Sequence, residues 1–166
     1  MASTADHPQQ PGRRLVMVRY GLVPDEDGRA PSDGWPRPVD SEGLWASPAG
    51  EGLYRIENTP WFAPNLATGD VVEAVEHEGA RWVMRKAHWS GRLTVRVAAG
   101  DPAAVLGAFA DLGVRGESAA PAYQLAALDI PPDADLGAIL GRLRAGRSEG
   151  AWDYEEACVS GEWRAL

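Results

Sequence analysis

Apolar and polar positions follow two regimes along the chain. Up to residue 99 the apolar residues come in short runs or alternate with polar ones, and turn residues separate the runs. LVMVRY at 15–20 predicts a buried strand. Residues 43–56 hold two short apolar segments around PAGEG, which predicts a hairpin with its loop at 48–52. Pro60 and Pro64 exclude regular structure from 57–70. A strand over 71–75 follows the Gly69-Asp70 turn, Glu78-Gly79 turns it back as a strand over 81–89, and Ser90-Gly91 turns again into 92–99. Alternation puts Leu93, Val95 and Val97 on one face of that last strand and Thr94, Arg96 and Ala98 on the other. The same alternation puts Arg81 and Arg85 on one face of their strand, and Trp82 and Lys86 on the other. Strands joined by short turns predict a small antiparallel barrel or a strongly curved sheet.

From residue 101 the apolar spacing lengthens. Asp101 caps a helix with Pro102 at its first position; Val105, Ala108, Phe109 and Leu112 form its apolar face, and Gly113 stops it. Strands are predicted over 114–118 and 122–130. Pro131-Pro132 breaks the chain, Asp133 or Asp135 caps a second helix carrying Leu136, Ile139, Leu140 and Leu143, Gly146 ends it, and a strand over 152–159 closes the pattern. From Arg92 onward the order is β-α-β-β-α-β, the split βαβ or ferredoxin-like order. The expected fold class is therefore α+β: a small antiparallel β-barrel-like half over 13–91, then a ferredoxin-like half over 92–160, joined as one compact unit. Residues 1–12 read as a disordered tail and 161–166 as a C-terminal tail. The Pro- and Gly-rich loop over 24–40, with Trp35, reads as a lid or as a loop docked on the body.

Composition narrows the classes. The chain has 166 residues, a formal net charge of −8 and 45% hydrophobic residues. That acidity disfavours nucleic acid as a partner. No apolar run reaches the ~18 residues of a membrane span. One Cys excludes an intramolecular disulfide and, with no secretory pattern in the polar first residues, makes the cytoplasm the expected compartment. The charge is uneven: residues 81–96 carry Arg81, Arg85, Lys86, Arg92 and Arg96 and no acid, and Lys86 is the only lysine. Trp35, Trp45, Trp61, Trp82 and Trp89 all precede Arg92, which predicts an aromatic-rich first half and a second half packed mainly with Ala, Leu and Ile.

Several of these residues also carry a family resemblance. Leu44-Trp45-Ala46, Leu53-Tyr54-Arg55-Ile56, Asn58-x-Pro60, Gly69-Asp70-Val71-Val72, and Ser90-Gly91 with Arg96 resemble a bacterial family of small proteins of unknown function, DUF4265, over about 41–160. The resemblance implies a domain unit and no activity. The Gly69-Asp70 turn also resembles the Gly-Asp box of cradle-loop barrels.

The chemistry-bearing residues are few. His7, His77 and His88 form no metal-ligand spacing, and Glu76 and His77 read as solvated turn residues, so neither a metal nor a cofactor is expected. No Gly-x-Ser-x-Gly elbow or nucleotide-binding glycine loop is present. His88 and Ser90 lie two apart, with Asp70 as the carboxylate that would complete a catalytic set. Cys158 reads as a packing residue, with pairing to His88 left open. The segment 58–70 is the most informative. Asn58, Trp61, Asn65 and Asp70, with Phe62, combine directional polar groups and apolar walls on an irregular stretch, and Arg96 supplies a cation. The same residues would equally serve turns, pairing and plugging of the barrel.

Three functional readings follow. The first is a non-catalytic cytosolic binding or interaction protein with a small-molecule or protein ligand near 58–70, its sites Asn58, Trp61, Asn65, Asp70 and Arg96. The second is an enzyme acting on a small anionic metabolite, with Asp70 or His88 as acid/base and Arg96 as the anion clamp. The third is an acidic inhibitor or immunity protein using Asp153, Glu155 and Glu156. The sequence leaves the oligomeric state open.

Overall fold

The computed structural model describes residues 13–22, 39–118 and 123–166. The expected tail over 1–12 and nearly all of the 24–40 loop lie outside them. The architecture is mixed α/β and rich in strand. Five strands come first: β1 (Val16–Gly21), β2 (Ser41–Gly50), β3 (Leu53–Ile56), β4 (Val71–His77) and β5 (Ala80–His88). Each pairs antiparallel with the next, and the ring closes where β1 meets β5 in the parallel sense, at the register pair Arg19–Trp82. The antiparallel pairing expected from the turns holds for every pair of successive strands, and only the closing pair is parallel. An odd number of strands that alternate in direction leaves the first and last running the same way.

The barrel interior is aliphatic. Val18, Leu44, Ala46, Ile56, Val72 and Ala74 fill it, together with Ala63 and Leu66 from the irregular connection between β3 and β4. No tryptophan is among them, whereas the second core buries Phe109 and Trp163 and packs Trp152 against itself. This reverses the expected distribution of aromatic packing. A five-stranded ring leaves little room inside for indoles.

Strand β5 carries two bulges. Lys86 stands opposite Val72 and Arg85 opposite Glu73, yet Val83 stands opposite Ala74 and Trp82 opposite Val75. Met84 is the extra residue, and it inverts the side-chain parity of everything after it. Trp82 therefore shares the outer face with Val75, which is 45% exposed, while Lys86 shares the inner face with the fully buried Val72. Strict alternation had placed Trp82 and Lys86 together.

The second sheet is formed by β6 (Leu93–Ala98), β7 (Arg115–Ser118), β8 (Leu125–Ile130) and β9 (Asp153–Cys158), in the order β7-β8-β6-β9 with every pair antiparallel. Helices α1 (Pro102–Phe109) and α2 (Leu136–Ser148) start where their caps predict. Asp101 accepts the Ala104 N–H at 3.1 Å, and Asp135 accepts that of Ala138 at 3.0 Å. Leu93, Val95 and Val97 join Phe109, Ile139 and Leu143 in the core beneath them. The opposite face of β6 is covered as well, since Thr94 and Arg96 are buried beneath the 57–70 segment, where Thr94 Oγ1 donates to the Leu66 carbonyl at 2.9 Å.

Two ends differ from expectation. Helix α2 runs past Gly146, because that glycine serves packing: a Cβ there would lie 2.1 Å from the Trp152 ring. Gly150, with φ 73°, supplies the left-handed residue after the helix. Residues expected as a C-terminal tail form α3 (Gly161–Arg164), capped by Ser160 and anchored by Trp163, which is 1% exposed.

Candidate functional site

The 57–70 segment lies between barrel and sheet, and its own backbone polar groups organise it. Asn58 Oδ1 accepts the Trp45 N–H at 2.8 Å, which ties the segment to β2. Glu42, on β2, points its carboxylate at three successive backbone N–H groups, those of Trp61, Phe62 and Ala63. This is a carboxylate seated in a backbone nest. The burial of Glu42 pushes its carboxyl pKa up, and the three amides and the nearby Arg96 oppose that push. Arg96 donates to the carbonyls of Pro60 and Ala63, the shortest at 3.0 Å, and pairs with Glu155 at 3.6 Å. It is 2% exposed. These contacts make it an internal clamp on the segment, where sequence reasoning had considered an anion clamp for a ligand.

Asp70 is fully buried and well occupied. Oδ1 accepts the Ser90 N–H at 2.8 Å, Oδ2 accepts the Ala67 N–H at 2.9 Å, and Lys86 Nζ lies 3.2 Å from Oδ2. Ser90 Oγ donates to the Thr68 carbonyl at 2.8 Å and accepts the Arg92 N–H at 3.1 Å. Gly69, at φ 83°, brings that turn so close that a Cβ would sit 3.1 Å from Ser90 Cβ. Asp70 and Ser90 thus lock the barrel's Gly-Asp corner onto the turn that leads into the second sheet. His88 is exposed at the end of β5, opposite Val71. Cys158 is buried and receives Lys86 Nζ at 3.8 Å; its burial, the largest cause, raises the thiol pKa.

A cavity of about 310 Å³ opens in the barrel wall beside this cluster. It lies where β1 ends and β5 continues. Tyr20 and Gly21 line one side, Trp82 through Lys86 the other, and Pro64, Asn65 and Leu66 the base. Met84, turned out by its bulge, is 62% exposed. Asn65 adopts a left-handed conformation (φ 50°) that asparagine tolerates, and its N–H donates to the Ala157 carbonyl at 2.8 Å. Its backbone is thereby held to β9 while its exposed side chain lines the slot. Of the residues singled out in the sequence, Asn65 lines this slot directly. Asp70 stands behind it through Lys86, and Asn58, Trp61 and Arg96 build the segment.

Sequence reasoning did not make site residues of Glu42, Lys86, Trp82 and Met84, although it noted Trp82 and Lys86 within the cationic 81–96 stretch. A lone acid within β2 carries no periodic signal, and the bulge that aims the other three is silent in an alternation count. The one available signal was Lys86 itself, the sole lysine among arginines. Among the described residues no group of His, Cys, Asp or Glu is arranged to hold a metal ion, and no helix is long and apolar enough to cross a membrane.

Comparison with known proteins gives a family and a fold. The family model described as "Domain of unknown function (DUF4265)" matches residues 42–154. A crystal structure of a hypothetical protein from Neisseria gonorrhoeae is similar with a TM-score of 0.67 and 19% identity, over 92% of this chain and 99% of that one. At that identity the likeness concerns the fold alone. No curated protein matches the chain.

Proposed function

The chain belongs to the DUF4265 family, and we propose that it is a binding protein that holds a small molecule in the slot between β1, β5 and residues 64–66. The observation that carries this reading is the slot itself. Its volume of about 310 Å³ stands at the low end of the ~300–1,000 Å³ typical of ligand sites. Its walls combine apolar bodies (Tyr20, Leu66, Trp82, Met84) with a few polar groups from Asn65, Arg85 and Lys86. The hydrogen bonds that occupy Asp70 and Ser90 favour binding over acid/base chemistry at those residues. The same reading takes the second sheet, with its β7-β8-β6-β9 order and paired helices, as a ferredoxin-like platform that fixes the slot's base through Ala157 and Asn65. The cytoplasm remains the expected compartment of a chain with one buried thiol.

A protein-observed NMR screen with small fragments tests the proposal. Shifts are expected to cluster at residues 20–21, 64–66 and 82–86, and Trp82→Ala, on the outer face, is expected to abolish them while the fold persists. Fragments that all bind elsewhere, or a Trp82→Ala spectrum that responds like wild type, would count against it.

A further inference from the structure

On β5 the slot is lined by five consecutive residues, Trp82 through Lys86. Successive side chains of a strand point to opposite faces, and here Lys86 faces inward while Trp82 faces outward. A wall that takes all five in a row is therefore the edge of the strand, its main-chain N–H and C=O groups, and neither of its faces. One edge of β5 is paired along its length with β4. Among the described residues, the other edge has a single register pair, Arg19–Trp82. The charged side chains beside this edge are already matched: Lys86 Nζ lies 3.2 Å from Asp70 Oδ2, and Arg85 pairs with Glu73 at 2.6 Å. What remains to be satisfied is neutral main chain, with donors and acceptors in alternation. The base of the slot does not supply them. Pro64 has no N–H, the Asn65 N–H donates to Ala157, and the Leu66 carbonyl accepts Thr94 Oγ1.

Resting on the slot reading above, we propose that the ligand is a short peptide, held in extended form as an added strand along the open edge of β5. Main-chain hydrogen bonds to a sheet edge supply the affinity in this mode, and alternate side chains supply the selectivity. The length follows from the register. Continued from Arg19–Trp82, it sets Gly21, where β1 ends, level with Met84. Lys86, the last lining residue, lies about 7 Å further at the rise of a strand, which is room for about two residues. A Cβ on Gly21 would meet nothing within 4 Å, so space is open beside the end of β1. The ligand side chain that points outward lies beside Trp82 and the 62% exposed Met84, which suits an apolar, β-branched residue. With Asp70 and Glu73 holding the two cations, the edge selects neither a charged side chain nor a charged terminus.

Titration of the full chain with the blocked dipeptide acetyl-Val-Val-amide, followed by NMR, tests this. Binding is expected to shift the backbone amides of residues 83–86 and to slow hydrogen exchange at one or more of them. N-methylation of the peptide, one nitrogen at a time, is expected to weaken binding about fivefold or more at the nitrogen that pairs with the edge, the worth of roughly one hydrogen bond. Added salt is expected to leave the affinity unchanged, because no charge is recognised. Extension to six residues with flanking glycines is expected to gain nothing. N-methylated peptides that all bind like the parent overturn strand pairing and leave the slot reading standing, as does a screen in which ring fragments shift residues 82–86 and the peptide does not. A steep salt dependence overturns recognition of neutral main chain. A gain of about tenfold or more on extension assigns the edge to a segment of a larger protein and overturns the short peptide. If neither fragments nor peptide shift residues 82–86, the slot reading falls and this inference with it.

Discussion

Single side chains hold the segment beneath the slot, and two of them make clear predictions. Asp70 joins two backbone amides and a lysine from a fully buried position. Asp70→Ala leaves those donors and the Lys86 charge without an acceptor, so it is expected to cost about 3–5 kcal/mol in urea unfolding, the scale for breaking a buried ion pair. Glu42 gives a pH signature. Burial raises its folded pKa above the ordinary 4.5, so the folded state binds the proton more tightly than the unfolded chain. Its stability contribution is fully present below the unfolded pKa and is lost as pH rises through the folded one. The stability of wild type relative to Glu42→Gln is therefore expected to increase as pH is lowered from neutrality toward 4.5. A difference that is flat with pH, or that runs the other way, would contradict the burial of that carboxylate. Asp70 stood out in the sequence because it follows a glycine at a strand boundary. Glu42 did not, because what singles it out is the nest of amides some twenty residues away in the chain.

At the level of elements, what the sequence made legible was what is local. The caps Asp101 and Asp135 announce α1 and α2 because a cap is read from residues three apart. Gly146 was misread as a helix end because the reason for it, the Trp152 ring, comes from the following loop. Two of the three glycines of α2, Gly146 and Gly141, separate these roles. Gly146→Ala is expected to destabilise by about 1–3 kcal/mol through overpacking against Trp152. Gly141→Ala, at an exposed helical position with nothing near its Cβ, is expected to stabilise by about 0.5–1 kcal/mol. Thermal unfolding of the two variants reads both signs. The β5 bulges belong to the same category as Trp152. An extra residue in a ladder is defined by the partner strand, so the face on which Trp82 and Lys86 fall could be known only once β4 was in place.

Across the whole molecule, barrel and sheet share one irregular segment and are joined by contacts that include Asp70 with Ser90 and Asn65 with Ala157. Cys158 belongs to the last strand of the sheet yet touches Lys86 of the barrel, so its thiol reports on the contact between the halves. With its pKa raised by burial, it is expected to resist alkylation in the folded protein and to become reactive in the same urea transition that tryptophan fluorescence reports. Thiol exposure well before the fluorescence change would mean that the halves separate first. The division of the chain near Arg92 was visible in the change of apolar period. The slot was not visible, because it is made by three stretches distant in sequence.

The parallel seam between β1 and β5 has a kinetic consequence. The other strand pairs of the barrel join neighbours in the chain, whereas Arg19 and Trp82 lie near its two extremes. Bringing them together must overcome the loop-closure entropy of nearly the entire first half, and a single register pair offers little in return until the interior has condensed. The ring is accordingly expected to close last, at the seam beside which the slot opens.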